Sequence, residues 1–252
     1  MDALAQLLSL EVYRAFLVFA RVAAALGFLP GFGEFAIPPR VRLCIALPVA
    51  LALTPTVPGL PDRLPADGAV MLEQLFAETV VGAFLGLGAK LFLAALQVTG
   101  SIAAQTVGLS SPFSSEATGF EGGSTLSNTL GIAGLAALFA TDLHYLMIDA
   151  LVRSYGSWPA AVLPDVGMIA GRFAQLVAQT FRLGVELATP FLVFGMLANV
   201  ALALVNRVMP SMPVYFVATP AMLGAGMVVF MVTAGVMLTA CLAALGGWLG
   251  GS

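Results

Sequence analysis

The sequence predicts an all-α protein of the integral-membrane type, built from about six long helices. Three observations lead there. Of the 252 residues, 60% are hydrophobic and only 9% are charged, where soluble domains carry about 25% charged residues. The mean hydropathy is +1.01, so a compact soluble fold of this size would lack the polar groups to cover its surface. Charge-free stretches run over 43–61, 91–115, 122–141, 187–206 and 208–252, and most are near or beyond the roughly 20 apolar residues that cross a bilayer.

The first helix is expected over 4–29. It contains Glu11, Arg14 and Arg21 and no basic leader segment precedes it, so it reads as part of the mature protein rather than a signal peptide. Pro30, Gly31, Gly33, Pro38 and Pro39 then break the chain, because consecutive prolines oppose helix continuation. A second helix is expected over 40–57. Pro55, Pro58, Pro61 and Pro65, with Asp62 and Asp67, end it. The third is expected over 69–107 and the fourth over 124–153, with Trp158, Pro159, Pro164 and Asp165 closing the latter. The fifth, 166–206, contains Pro190 and would be about 60 Å long, twice the hydrocarbon thickness of about 30 Å. The stretch 206–213 separates it from a sixth helix over 214–249. Helices of that length tilt strongly, project from the bilayer or pack inside a protein shell. Arg40, Arg42 and Arg207 in odd-numbered connections, against Arg63 and Arg153 in even ones, tilt both termini toward the periplasm.

The same composition excludes several function classes. A nucleic-acid binder needs a basic field, whereas the net charge here is −3. Cys44 and Cys241 are the only cysteines and stand far apart, so no disulfide scaffold forms. His144 is the sole histidine, which leaves no histidine-rich metal site. No catalytic residue, cofactor site or metal site stands out. Asp142, His144 and Asp149 read as a helix end rather than a proton relay. An intramembrane protease using Ser110 or Ser111 with His144 lacks the second glycine that its nucleophile turn requires.

The candidate functional residues are of three kinds. Arg14, Arg21, Glu73, Glu78, Lys90, Arg182 and Glu186 are charges on apolar helices, and such groups face protein or water. They read either as contacts between subunits or as local pairs; Glu11 with Arg14 and Arg182 with Glu186 have helical spacing for the latter. Gly82, Gly86 and Gly88, like Gly167 and Gly171, have the small-residue spacing of close helix packing. The connection 108–124 reads GLSSPFSSEATGFEGGS. Gly108, Pro112, Gly119, Gly122 and Gly123 oppose helix there, while Phe113 and Phe120 add apolar bulk. It reads either as a plug that dewets a pore or as a surface loop whose aromatics enter the lipid interface.

Several short strings resemble one family when taken in order. They are Pro30-Gly31, IPPRVRL from Ile37 to Leu43, Thr54-Pro55, Gly100, Gln105, Gly108-Leu109-Ser110 and Leu126-Ser127. Phe139, Asp142-Leu143-His144, Ser154-Tyr155, Pro159, Ala188-Thr189-Pro190, Asn199, Asn206-Arg207 and Met209-Pro210 follow. Nearly the whole chain resembles the FliR family of flagellar export-gate proteins, called SctT in virulence systems. At the tip Asn206, Arg207 and Pro210, the chain departs from the family pattern by placing Pro213 at a polar position.

The resemblance implies a structural, non-enzymatic pore subunit of the type III export gate, in the bacterial inner membrane at the flagellar basal body. One such chain would join several FliP and FliQ chains, with FlhB and FlhA nearby, to pass unfolded flagellar proteins. It implies a FliP-like part, 1–160, carrying the plug loop, and a FliQ-like hairpin, 161–252. The equivalent virulence subunit and a small transporter working alone are the competing readings.

Overall fold

A computed structural model describes residues 2–33, 37–107, 125–209 and 214–251. Seven α-helices stand among them, and no strands. They are α1 (Asp2–Phe28), α2 (Pro39–Leu53), α3 (Gly68–Val107), α4 (Thr125–Ala140), α5 (Leu143–Ser157), α6 (Val166–Val208) and α7 (Val214–Gly251). A single 3-10 turn, Thr54–Thr56, follows α2.

Helix starts and stops follow local chemistry. Pro39 opens α2 at a position where the missing N–H costs nothing. Gly31 and Gly59 adopt φ of 84° and 76° in the two proline-rich connections, a left-handed backbone that glycine takes without a Cβ clash. The Asp67 carboxylate accepts from the Ala69 N–H at 2.9 Å. Asp165 does the same for α6, accepting from Gly167 at 2.7 Å and Met168 at 3.1 Å. Both carboxylates satisfy N–H groups that lack a partner within the helix.

One expected helix is two. The span 124–153 breaks between α4 and α5 with a bend of 75°. Asp142 lies at φ 58°, ψ 17°, a conformation that a short polar side chain tolerates better than most. Thr141 ends α4 by bonding back to the Ala137 carbonyl through both its N–H and its hydroxyl. The break falls at the mostly polar string Thr141-Asp142-Leu143-His144, where the sequence shows a helix end although a single helix over 124–153 is expected.

Among the described residues, three helices are long and apolar enough to cross a membrane: α3, α6 and the Ala218–Gly251 part of α7. The α4–α5 pair is a fourth crossing if the bent pair counts as one span. The 43 residues of α6 extend about 64 Å at 1.5 Å per residue.

The chain forms two compact units, each discontinuous in sequence. The first comprises 1–91, 142–177 and 245–252; the second comprises 92–141 and 178–244. In the first, Leu17, Val18, Val22 and Ala25 of α1 are buried with Ala77, Val81 and Leu85 of α3 and Met147 and Leu151 of α5. Phe84 meets Trp158 edge-on at 5.3 Å between ring centres and Phe173 at 6.2 Å. Arg153 donates to the carbonyls of Leu249 and Gly250 at 3.0 and 3.1 Å. A cation there answers both the open carbonyls and the negative end of α7.

In the second unit, Leu96, Leu130, Leu138, Phe191 and Met237 form the core. Its helices are also tied by polar contacts. Thr99 donates to the Gly184 carbonyl at 3.0 Å, Ser127 to Gln97 at 2.8 Å and the Cys241 thiol to Phe92 at 3.2 Å. Hydroxyl and thiol groups that reach a neighbouring backbone are the usual polar glue of apolar helix packing.

Candidate functional site

The most densely bonded group in the first unit is centred on Arg21. Its position on α1 faces α3, where Gly82 and Gly86 leave no side chain in the way. A Cβ at Gly82 would press on the Arg21 carbonyl oxygen and come 3.0 Å from Ala24 Cβ; one at Gly86 would lie 2.5 Å from the Ala25 oxygen. Glycines four residues apart thus let the two backbones approach closely.

At that distance Arg21 reaches Glu78, one turn before Gly82. Arg21 Nε donates to Glu78 Oε2 at 2.6 Å and Nη2 to Oε1 at 3.2 Å, a bidentate fork. Nη1 donates to Ser154 Oγ at 3.1 Å, and both Nη1 and Nη2 donate to the Trp158 carbonyl at 3.2 Å. All five guanidinium N–H groups therefore have acceptors. The Tyr155 ring lies 3.7 Å from the guanidinium carbon, a cation–π contact. Glu78 Oε1 also accepts from the Ala161 N–H at 2.7 Å. Each side chain of the pair is 1% exposed.

Burying two charges costs several kcal/mol each unless their bonds are nearly complete, and here they are. The node therefore holds α1, α3 and the end of α5 against the segment leading into α6. Ala161 sits in that segment at φ 59°, a conformation held in part by its bond to Glu78. The node's chemistry is that of a clamp with no net charge, in which every guanidinium donor is used.

The other charges lie differently. Arg14 bonds Glu11 at 2.8 Å, Asp62 at 3.2 Å and the Pro61 carbonyl at 2.8 Å, so it ties α1 to the second proline-rich connection. Arg182 and Glu186 pair at 2.7 Å on the exposed side of α6. Glu73 and Lys90 are exposed on α3. Asp149 pairs with Arg153 at 2.9 Å, and the His144 ring packs at 4.1 Å on Tyr145. Asn206 and Arg207 are exposed at the end of α6. Pro210 lies outside the described residues, as do Ser110, Ser111 and the loop residues Gly108, Phe113, Gly119, Phe120, Gly122 and Gly123. Tyr155, Trp158 and Ala161 are members of the node that charge spacing did not single out.

The second feature is what the long helices leave uncovered. Of the most apolar stretch of each, 61% of α3 is buried but only 22% of α6 and of α7. Phe181, Met196, Leu197 and Leu204 on α6 and Met231, Val232 and Val236 on α7 are each more than half exposed. Exposed apolar area on this scale marks a surface made for lipid or for other chains.

Residues 12–247 match the sequence profile of the bacterial export proteins, family 1. A flagellar biosynthetic protein FliR from Caulobacter vibrioides is 40% identical over 211 residues, covering 83% of this chain and 84% of that protein. The protein of the same name from Pectobacterium carotovorum is 26% identical over 215 residues, covering 85% and 82%. That from Bacillus subtilis is 27% identical over 218 residues, covering 84% and 82%.

Proposed function

The chain belongs to the bacterial export proteins, family 1, and on that premise we propose that it is a structural subunit of the flagellar type III export gate. In this reading it assembles with FliP and FliQ around a pore, next to FlhB and FlhA, in the inner membrane at the flagellar basal body. Unfolded flagellar proteins pass through the assembly, and the chain itself performs no chemical step. The observation that carries the reading, beside family membership, is the uncovered apolar surface of α6 and α7. The exposed Arg182–Glu186 pair and the exposed Glu73 and Lys90 are, in this reading, polar contacts to neighbouring subunits. The reading takes 1–160 as a FliP-like part and 161–252 as a FliQ-like hairpin with Asn206, Arg207 and Pro210 at its tip, a division by sequence that differs from the two compact units, each of which draws on α3, α6 and α7. A virulence-system subunit is the second reading; the names of the relatives above favour the flagellar one.

The proposal includes a seal. A resting export pore must hold back protons and small ions. The 108–124 segment has the composition for it: Phe113 and Phe120 to exclude water from a constriction, and glycines at 108, 119, 122 and 123 to oppose helix. Deleting residues 111–122 is expected to leave a complex that still contains FliP and FliQ but lets ions through the membrane. Ion flux in cells holding the mutant complex is the measurement. An intact ion barrier overturns the seal, and failure of the unmutated chain to copurify with FliP and FliQ overturns the pore role.

A further inference from the structure

The first unit contains an apolar cavity of about 80 Å³ that the clamp and the export role leave unused. It is lined by Val22 and Leu26 of α1, Leu29 just after that helix, Ile45 and Val49 of α2, and Met147 and Ile148 of α5, among other apolar side chains. No lining residue is polar. Water needs two to four polar partners to stay in such a place, so the cavity does not hold it. Its volume is also about half that of an apolar cavity known to take benzene, about 150 Å³. Aromatic rings are therefore too large, whereas the slim end of a hydrocarbon chain fits.

Its lining runs along the helices: Val22 and Leu26 lie one turn apart on α1, about 6 Å along the axis, and Leu29 follows the helix end. On α2, Ile45 and Val49 share a face, and Arg42 lies on that face one turn earlier, about 4.5 Å along the axis. Arg40 is in the same first turn, which holds no acidic residue. The positive end of the α2 dipole adds to these two cations. Val41, Leu47 and Leu51 lie exposed on other faces of α2, a surface fit for bilayer hydrocarbon. An apolar slot one turn deeper than a cationic helix end has the layout of an anionic phospholipid, with its phosphate at the arginines and its acyl chain below.

We propose that this cavity is a binding site for one acyl chain of an anionic phospholipid, whose phosphate is held at the Arg40–Arg42 end of α2. The proposal does not rest on the chain's role in export.

The test uses the full chain, with whatever subunits copurify, in nanodiscs containing phosphatidylglycerol with a photoreactive diazirine in its acyl chain. Mass spectrometry of the labelled peptides gives the positions. Label is expected on Val49, Met147 and Ile148 as well as on the outward Leu47 and Leu51. Val49→Phe fills the cavity and is expected to lower label on Met147 and Ile148 by roughly tenfold, the effect of losing burial of about two methylene groups. Label on Leu47 and Leu51 should persist, which shows that the variant is folded and in lipid. Unlabelled phosphatidylglycerol should compete at Met147 and Ile148 better than unlabelled diacylglycerol, and Arg42→Gln should remove that difference. Label confined to Leu47 and Leu51, or label at Met147 that Val49→Phe does not change, would each overturn the proposal.

Discussion

Replacing Arg21 with alanine is expected to lower stability by about 3–5 kcal/mol, because it leaves the Glu78 carboxylate buried without its counter-charge. Five hydrogen bonds end at that guanidinium, and the Trp158 carbonyl loses two of them. Glu78→Ala is expected to cost a similar amount, since it strands the cation and also frees the Ala161 N–H. The double variant Arg21→Met with Glu78→Leu should lose much less than the two single losses combined, because apolar groups of similar volume often replace a buried ion pair with little penalty. Thermal aggregation midpoints and yields in detergent check all three. Normal yield and midpoint for both single variants would show that the pair is not a clamp.

The second large effect is expected at Gly82. Any side chain there meets the backbone of Arg21, and a helix backbone cannot yield as a flexible side chain does. Gly82→Val should force α1 away from α3. Overpacking alone costs about 1–3 kcal/mol, and the displacement also pulls Arg21 from Glu78, so the loss should approach that of Arg21→Ala. Because the two changes break the same contact, Gly82→Val with Arg21→Ala should be clearly less than additive. Gly156→Ala is the control. Nothing lies within 4 Å of a Cβ at that position, and alanine in a helix is favoured over glycine by about 1 kcal/mol. Equal losses at Gly82 and Gly156 would contradict close packing of α1 on α3.

The two positions also mark where sequence reading stops. The spacing of Gly82 and Gly86 signals a close helix contact, but nothing in it names α1 as the partner. Arg21 and Glu78 are 57 residues apart and Arg21 and Ser154 are 133 apart, so their meeting depends on tertiary packing that no local pattern encodes. Ends set by local chemistry were easier to read. The prolines before α2 and the carboxylates of Asp67 and Asp165 act on adjacent backbone, and α2, α3 and α6 begin within a residue or two of where those signals put them. The break at Asp142 left a trace, since Asp142, His144 and Asp149 read as a helix end, but polar residues alone do not show that the chain turns by 75° there and continues as a new helix. The composition carried the fold class for a simpler reason. A chain with 9% charged residues has few folds available except helices whose backbone groups are satisfied internally.

The central claim is that the chain is one part of a larger membrane assembly, a reading that rests on its family and on the apolar surface of α6 and α7 left open to lipid or to other chains. The most direct measurement is the mass and composition of the particle that the affinity-tagged chain brings out of flagellated cells in mild detergent, read by native mass spectrometry. The predicted result is a hetero-oligomer in which one copy of this chain accompanies several FliP and FliQ chains, together with an unstable chain when it is expressed by itself. A monodisperse, thermally robust lone monomer would contradict the account.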